Sequence, residues 1–320
     1  MADVSVGQSS PTIGDLGEFA LIDHVTRSLP RGDDVLVGIG DDAAVVSPRG
    51  ALAISTDVLV ERVHFRTDWS SAAHVGAKAI GVNVADIEAM GARPLAAVIG
   101  FSAPPTTPVA WVEEFMAAAA DEAKQAGISI IGGDTTGSRD ITICVTVFGD
   151  TDDISPVTRA GARPGQVVAM TGRLGWAAGG MLVLSRGFAS LRELVAAQQR
   201  PSVPYGQGRV AALAGATAMI DVSDGLLADL GHIAEASGVS IDIDSSTLEV
   251  PEAITRLCAA TGVEPLGLVL TGGEDHALAA CFEPADVPDG WVVIGEVGDG
   301  EGVTVDSEQW TGERGWDHFA

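Results

Sequence analysis

Short apolar runs recur along the chain, and most are separated by longer segments in which apolar residues return every three or four positions. Such runs are typical of β-strands, whereas the longer spacing is typical of amphipathic helices. The runs lie at residues 35–39, 51–55, 95–101, 128–131, 141–149, 167–172, 218–223, 239–243 and 268–273. Strands that alternate with helices predict a mixed α/β (α+β) fold.

Capping residues and glycines mark where the predicted helices begin and end. One helix has Thr107 as its N-cap and Pro108 in its first turn, and it ends at Gly127. A second helix is predicted over residues 71–91 and a third over residues 223–238. These helices supply the layers that cover the predicted strands.

The length and one polar segment predict how the chain divides. A chain of 320 residues favours about two domains. Residues 151–166 form a polar stretch that contains Pro and Gly, and it separates two series of strands and helices. We therefore place a boundary near residue 150, which gives an N-terminal domain at residues 1–150 and a C-terminal domain at residues 151–320.

The charge balance excludes several function classes. Lys and Arg number 18 and Asp and Glu number 44, so the formal net charge is −26. A surface this acidic repels a phosphate backbone, which argues against nucleic acid as a partner. The only lysines, Lys78 and Lys124, both follow alanine, so the chain contains no Gly-Lys pair of a Walker A loop. An anionic substrate would therefore need metal ions or a few well-placed arginines.

The termini and the cysteines predict the compartment. The first residues contain neither a basic segment nor an apolar one of the signal-peptide type, and no apolar run is long enough to span a membrane. The cysteines Cys144, Cys258 and Cys281 are odd in number and widely spaced, which argues against a disulfide framework or a zinc site. We expect a cytoplasmic protein with no membrane partner and with its thiols in the core.

Acidic residues follow the ends of five apolar runs. These junctions lie at residues 38–42, 54–57, 131–136, 220–225 and 270–275. Each one alone is compatible with a solvated turn, because Asp and Gly suit turn dihedral angles. If the ends of these runs converge, their carboxylates form a set of hard oxygen ligands, which suits Mg²⁺ that carries nucleotide phosphates.

Asp86 gives an independent argument for a cation. At about 100° per residue, Val75, Ala79 and Val82 lie on one stripe of the second predicted helix, and Asp86 falls within that stripe. An unpaired carboxylate on an apolar face costs several kcal/mol. Asp86 must therefore meet a cation, a cluster of donors or a water-filled cleft, and we favour a metal ion.

Two shorter motifs have competing interpretations. Residues 38–43 match the loose dinucleotide pattern G-x-G-x-x-G/A, but too few residues separate Asp42 from Pro48 to form the helix that must hold a pyrophosphate. A nicotinamide site is therefore disfavoured. Ser223 and Asp224 stand at the start of a predicted helix, where they can cap the helix, bind phosphate or do both.

Taken together, several of these segments resemble the thiamine-monophosphate kinase family, which belongs to the superfamily of aminoimidazole ribonucleotide synthetase. The resemblance covers nearly the whole chain. It is carried by GEF, GIGDDAAV, STDVLVERVHF, KAIGVNVADIEAMGARP, IGGDTT, RAGARPG, IDVSDGL, TGGED and GWDHF, which lie at residues 17–19, 38–45, 55–65, 78–94, 131–136, 159–165, 220–226, 271–275 and 315–319.

The resemblance implies a two-domain fold in which the N-terminal domains of a homodimer pair their sheets into a β-barrel. It implies that the N-terminal domain binds ATP and Mg²⁺ and forms the dimer contact. The implied reaction is direct in-line transfer of a phosphoryl group from ATP to thiamine monophosphate, with several Mg²⁺ ions and no general base. ATP and thiamine monophosphate are then the partners, and nucleic acid and membrane are not.

The resemblance also implies roles for individual residues. The implied metal-binding set is Asp42, Ser55, Thr56, Asp57, Asp86, Asp134, Asp221 and Asp224. The implied nucleotide contacts are Gly133, Asp134, Arg159 and Ser223, and Arg159 is also expected to stabilise the transition state. The residues expected to hold thiamine monophosphate are His64, Glu274 and Trp316.

The chain departs from the family pattern at two positions. Arg62 stands where the family usually has Gly, and Trp176 stands where a small or acidic residue is common.

The sequence leaves alternative functions open. Another ATP-using member of the superfamily with a different acceptor is one alternative. A non-enzymatic, salt-adapted protein with solvated Asp clusters is another. Related selenophosphate synthetases and hydrogenase-maturation proteins are disfavoured because their N-terminal or C-terminal Cys is absent here.

Overall fold

The N-terminal half of the protein contains one four-stranded sheet and a small two-stranded one. The computed structural model describes residues 10–188, 190–312 and 315–316. The elements of the first half are α1 (Ile13–Leu16), α2 (Glu18–Thr26), β1 (Val35–Val37), β2 (Val45–Val46), β3 (Leu52–Val60), α3 (Ala72–Ala89), β4 (Arg93–Ala103), α4 (Val109–Gln125), β5 (Ser129–Gly137) and β6 (Thr142–Asp150). The larger sheet has the order β3-β6-β4-β5 and the smaller one pairs β1 with β2.

Helices α3 and α4 cover one face of the four-stranded sheet. Strand β6 shows why, because Ile143, Val145 and Val147 are buried while Cys144 and Thr146 between them are partly exposed. This alternation places every second side chain on the helix side. The outer face is also apolar but more open, and the side chain of Ile54 on β3 is 60% exposed there.

The C-terminal half is built around a six-stranded sheet. Its elements are β7 (Val167–Thr171), α5 (Trp176–Ser185), α6 (Arg192–Gln199), α7 (Gln207–Leu213), β8 (Ala218–Val222), α8 (Leu226–Ser237), β9 (Ser240–Ile243), a 3₁₀ turn (Ser245–Thr247), α9 (Glu252–Thr261), α10 (Pro265–Thr271), β10 (Ala277–Phe282), β11 (Val292–Gly298) and β12 (Gly302–Val305). The strand order is β12-β9-β11-β7-β10-β8. Most neighbours are antiparallel, and only β12 pairs with β9 in parallel.

Helix α3 lies between the two halves. It contacts α4 and strands of the first sheet on one side, and β8, β10 and α7 on the other. The helix begins after Ser71, whose hydroxyl accepts a hydrogen bond from the His74 amide at 3.3 Å. Because it is enclosed by both halves, even Lys78, Asn83 and Glu88 on this helix are buried. Glu88 joins the halves by accepting hydrogen bonds from main-chain amides before and within α7.

Most of the predicted strands and helices are present, and one prediction is wrong. Residues 268–273 were predicted as a strand, but they belong mainly to α10, which has Pro265 in its first turn and the Glu264 side chain as its cap. A short apolar run does not distinguish a buried strand from a buried helix. Two helix starts also differ, since the N-cap of α4 is Pro108 and that of α8 is Gly225.

Other expectations have mixed outcomes. Cys258 and Cys281 are buried as predicted, whereas Cys144 is only partly buried. Within the described residues, no single helix combines the length and apolar composition needed to cross a membrane, although α9 and α10 satisfy that test as a pair bent by 117°. The boundary near residue 150 stays a prediction.

The close approach of α3 and α4 gives a stability prediction. A methyl group at Gly76 would lie 2.2 Å from the carbonyl oxygen of Phe115, which is main chain and cannot turn away. Gly76→Ala must therefore push the helices apart, and we expect it to cost about 2–3 kcal/mol of unfolding free energy. Urea denaturation of the variant and the wild type measures this loss.

Gly231→Ala is the matched control for that measurement. Gly231 lies within α8, and its added methyl group would meet nothing within 4 Å. We expect it to be neutral or to stabilise the protein by up to about 1 kcal/mol, because Ala favours a helix over Gly. Equal denaturation midpoints for the two variants would contradict the proposed contact between α3 and α4.

Candidate active site

Carboxylates from both halves of the chain meet beside α3. The hydroxyl of Ser55 on β3 donates a 2.6 Å hydrogen bond to Asp86 Oδ2 on α3. The amide of Asp57, also on β3, donates to the Asn83 side chain on α3 at 2.9 Å. Asp221 comes from β8 of the other half and interacts electrostatically with Asp57 and Asp86. The structure therefore brings together four of the predicted metal-binding residues.

Burial and mutual repulsion dominate the electrostatics of this group. Burial, together with the charges of Asp221 and Asp57, raises the pKa of Asp86 to about 7, while the Ser55 hydrogen bond opposes the shift. Burial also raises the pKa of Asp57, and Asp221 adds to this effect. Asp221 is 4% exposed and Asp86 is partly buried, so these two carboxylates are not solvated turn residues.

His276 partly compensates this negative charge. Its Nδ1 atom lies 3.2 Å from Asp221 Oδ2, and its amide donates to the Val222 carbonyl at 2.9 Å. Burial lowers the pKa of His276, but the hydrogen bond and the charge of Asp221 outweigh burial and raise it above its ordinary value. Sequence reasoning assigned no place to this residue, because its partner is 55 positions away in the chain.

The expected thiamine residues His64 and Glu274 are linked by Lys78. The Lys78 ammonium group forms an ion pair with the Glu274 carboxylate and donates to the His64 carbonyl oxygen at 3.3 Å. Burial raises the pKa of Glu274, but the charges of Lys78 and His276 and the Lys78 hydrogen bond together outweigh burial and leave this pKa below its ordinary value. Sequence reasoning did not assign Lys78 to the site, although a lone lysine in the apolar stretch AKAIGV was a usable signal.

The loop before α8 joins several further site residues. The Glu274 amide donates to the Ser223 carbonyl at 2.7 Å, and the Trp316 amide donates to the Asp224 carbonyl at 3.0 Å. The buried Asp229 carboxylate accepts from the Asp224 and Gly225 amides at 3.1 and 3.0 Å. The structure thus places Ser223, Asp224, Glu274 and Trp316 around one loop.

A second group of predicted residues lines a cavity of 690 Å³ at the edge strand β5. Asp42, Gly133 and Asp134 form its polar side. Its apolar side is formed mainly by residues of α2, α4 and the sheet, which are Leu21, Ile22, Val25, Val98, Ile99, Phe101, Val112, Met116, Ile130 and Ile131. Gly133 has φ of 156°, and a methyl group there would lie 2.0 Å from the Ile99 carbonyl oxygen, so this lining position admits only glycine.

Two predicted residues lie apart from the carboxylate group. Thr56 points to the opposite face of β3 from Ser55, and its hydroxyl donates to the Val145 carbonyl at 3.0 Å. Arg159 is exposed, and its carbonyl accepts from Ser237 at the far end of α8. The carbonyl oxygen of its neighbour Thr158 accepts a hydrogen bond from the Met219 amide, at the start of β8. At the rise of a β-strand, Met219 lies roughly 13 Å along the chain from Ser223.

The donor set suits Mg²⁺ by its chemistry. Ser55, Asp57, Asp86 and Asp221 offer only oxygen atoms, which are the ligands that Mg²⁺ prefers. The mutual repulsion of these carboxylates would be relieved by a divalent cation. Within the described ranges, no three His, Cys, Asp or Glu side chains already have the spacing of a metal cage. Mg²⁺ usually keeps several waters and binds through one or two carboxylates plus phosphates, so a protein cage is not required.

Comparison with known families matches both halves of the chain. The model of the AIR synthase related protein N-terminal domain matches residues 40–151. The model of the corresponding C-terminal domain matches residues 163–308. The two matches together cover most of the chain, and they confirm the two-domain mixed fold that the sequence predicted.

Curated relatives narrow the family. The thiamine-monophosphate kinase of Mycobacterium tuberculosis H37Rv is 49% identical over 320 residues, covering 99% of this chain and 96% of the relative. The thiamine-monophosphate kinase of Corynebacterium glutamicum is 39% identical and covers 98% and 96%. The match over nearly full length means that no large domain of these relatives is absent here.

Solved structures agree with the sequence comparison. AaThiL complexed with AMPPCP and TMP superposes with a TM-score of 0.80 at 32% identity, covering 95% of this chain and 98% of that one. The thiamine-monophosphate kinase of Stenotrophomonas maltophilia K279a gives 0.79 at 35% identity and covers 91% and 97%. A hydrogenase maturation protein, HypE in complex with ATP, gives 0.75 at 23% identity, which shows a shared fold alone.

The fold and the carboxylate-lined site define a two-domain protein of the AIR synthase related class. Within that class, the chain belongs to the thiamine-monophosphate kinase family. This membership confirms the family and the enzyme class, a phosphotransferase, that the sequence predicted.

The raised pKa of Asp86 predicts a pH-dependent stability. A carboxyl group whose pKa rises to about 7 on folding stabilises the native state most at low pH, and that contribution is lost as pH rises from about 4 to about 7. Asp86→Asn cannot ionise. In metal-free protein, we expect its unfolding free energy relative to wild type to grow by roughly 2 kcal/mol between about pH 5 and about pH 8.

Urea denaturation at the two pH values measures this difference. Asp121→Asn, an exposed change on α4, is the control and should show no such growth. Asp229 and Asp275 also have pKa values raised to about 7 by burial, so wild-type stability stays pH-dependent in the variant. A constant difference between Asp86→Asn and wild type across this range would show that Asp86 is not the buried, repelled carboxylate described above.

Proposed function

We propose that this protein transfers the γ-phosphoryl group of ATP to the phosphate of thiamine monophosphate, giving thiamine diphosphate and ADP. The observation that carries the proposal is the near-full-length similarity to thiamine-monophosphate kinases, including 49% identity to the Mycobacterium tuberculosis relative. The superposition on AaThiL complexed with AMPPCP and TMP supports the same pair of substrates. The carboxylate group beside α3 supports the chemistry.

The cavity at β5 is the proposed nucleotide site. Its apolar side, formed with α2 and α4, suits a purine base, because such pockets bind flat apolar rings with few polar contacts. Asp42, Gly133 and Asp134 on its polar side are the residues expected near the phosphates. Ser223 would contact ATP from the loop before α8.

The acceptor needs no general base. The second pKa of a phosphate monoester is about 6, so the attacking oxygen is already largely anionic near neutral pH. The barrier is instead the repulsion between two polyanionic substrates, which positioning and charge stabilisation must overcome. Direct in-line transfer follows, with no covalent intermediate on the protein. Arg159 stays the proposed stabiliser of the transferring group, and a side chain of its length would have to reach in from the exposed segment before β7.

Several Mg²⁺ ions are part of the proposal. When bound, they would neutralise phosphate charge and orient the two substrates. The residues proposed to hold them are Asp42, Ser55, Thr56, Asp57, Asp86, Asp134, Asp221 and Asp224. Ser55, Asp57, Asp86 and Asp221 would act from the carboxylate group, and Asp42 and Asp134 from the cavity. An acidic protein can bind anions in this way.

The thiamine moiety carries a positive charge on its thiazolium ring, which fits the residues proposed to hold it. Trp316 is 64% exposed, and its indole could cover the ring by stacking and cation–π attraction. Glu274 would lie near the positive charge, and His64 would contact the substrate from the N-terminal half. The reaction draws on cytoplasmic ATP, and nothing in the proposed chemistry calls for a nucleic acid or a membrane.

An ADP-release assay tests the substrate. We expect ADP formation to require thiamine monophosphate, and we expect Asp86→Ala to lower it by about a hundredfold or more while the variant keeps a cooperative unfolding transition. The reason is that the change removes a proposed metal ligand and also relieves a buried charge. ADP formation that thiamine monophosphate does not stimulate would overturn the proposed substrate, and wild-type turnover by Asp86→Ala would overturn the role of Asp86.

We also propose a homodimer built on the outer face of the N-terminal sheet. Leu52, Ile54 and Val58 on β3 are exposed on that face, in agreement with the pairing of sheets that the family resemblance implies. A set of exposed apolar side chains on one sheet face is typical of an interaction surface.

Sedimentation velocity tests the homodimer. We expect a dimer for wild type and a monomer for Ile54→Glu, because a charge at the centre of an apolar interface is costly to bury. Val292→Glu is the matched control, since Val292 is similarly exposed but lies on the C-terminal sheet, and it should remain dimeric. A monomeric wild type, or a dimeric Ile54→Glu, would contradict the proposed interface.

A further inference from the structure

Lys78 is a buried cation that the proposed chemistry does not use. Its side chain is 2% exposed, whereas the other lysine, Lys124, is exposed on α4. A buried ammonium group is tolerated only when its charge is paired and its protons are hydrogen-bonded. Lys78 satisfies this requirement through the Glu274 carboxylate and the His64 carbonyl oxygen, so the position of each partner is tied to the lysine.

The two partners come from different halves of the protein. His64 lies in the turn after β3, where its Nδ1 atom accepts a hydrogen bond from the Val60 amide at 3.0 Å. Glu274 lies in the loop between α10 and β10. Lys78 projects from α3, which is fixed between both halves, and therefore links a turn of the N-terminal half to a loop of the C-terminal half.

The main chain at Glu274 is also constrained. Its φ angle is 70°, in the left-handed region that few residues other than glycine adopt. Such a conformation persists only when the surroundings over-determine it, and it is common at functional sites. Here the Glu274 amide donates to the Ser223 carbonyl at 2.7 Å, while the Lys78 ion pair holds the side chain. The main chain and the side-chain carboxylate of Glu274 are therefore both fixed.

We propose that Lys78 is a positioning residue for thiamine monophosphate, whose buried ammonium group holds the Glu274 carboxylate and the His64 turn at a fixed separation across the site. This inference rests on the proposed function. Lys78 is too enclosed to touch the substrate itself. The Glu274 side chain is 41% exposed, and Lys78 engages its Oε2 atom. The Oε1 atom of the same carboxylate can therefore contact the substrate.

Steady-state kinetics on a double-mutant cycle tests this role. The proteins are wild type, Lys78→Met, Glu274→Gln and the double variant, each assayed with either substrate varied. We expect Lys78→Met to raise the KM for thiamine monophosphate about tenfold, because a charge-assisted contact is lost, and to leave the KM for ATP within about twofold. The double variant should be worse than Glu274→Gln only for thiamine monophosphate, and by less than the effect of Lys78→Met in the wild type, because the lysine acts mainly through that carboxylate and otherwise through the His64 turn.

Other outcomes separate positioning from general damage. Lys124→Met is the matched control and should behave as wild type. Equal losses for ATP and thiamine monophosphate in Lys78→Met, or a double variant worse than Glu274→Gln for both substrates, would overturn the positioning role. If Lys78→Met fails to fold, the comparison of the double variant with Glu274→Gln decides the question. Wild-type protein that forms no ADP with thiamine monophosphate would instead overturn the proposed function.

Discussion

The enclosure of α3 by both halves of the protein is the constraint on which the site depends. Because nearly all residues of this helix are buried, an ionisable side chain on it must find a partner or lose its charge. Lys78 forms an ion pair with Glu274, and Asp86 accepts a hydrogen bond from the Ser55 hydroxyl. Glu88 accepts hydrogen bonds from main-chain amides of the C-terminal half. These partners lie on β3 of the N-terminal sheet, in the loop between α10 and β10, and before and within α7. The packing of one helix therefore aligns the parts of the site.

The same enclosure explains how an acidic protein can act on anions. Two carboxylates beside α3, those of Asp57 and Asp86, are held where burial and repulsion both disfavour their charged forms. That arrangement is unfavourable in isolation, and the proposed Mg²⁺ ions would convert it into attraction for phosphate. The apolar cavity at β5 and the Trp316 indole then complete the proposed site by accommodating rings rather than charges. In the proposed site, the raised pKa of Asp86 lowers stability near neutral pH, whereas its charge would hold the ions that bind the substrates.

The sequence predicted the parts of this arrangement that depend on local pattern. Helix α3 was expected over residues 71–91 and is observed at Ala72–Ala89, with Asp86 partly buried against β3. Pairings between distant segments could not be read from local pattern, which is why His276 and Lys78 were missed although their partners Asp221 and Glu274 were expected in the site. Residues 268–273 were assigned wrongly because a short apolar run fits a buried strand and a buried helix equally well.

The proposed function depends on divalent ions that Asp57, Asp86 and Asp221 would hold between the two substrates. A crystal structure of the protein with Mg²⁺, a non-hydrolysable ATP analogue and thiamine monophosphate tests it most directly. The account predicts oxygen atoms of all three carboxylates at about 2.1 Å from Mg²⁺ ions that also contact phosphate oxygens. Ions held only by phosphates, water or other carboxylates, with these three side chains left uncoordinated, would contradict it.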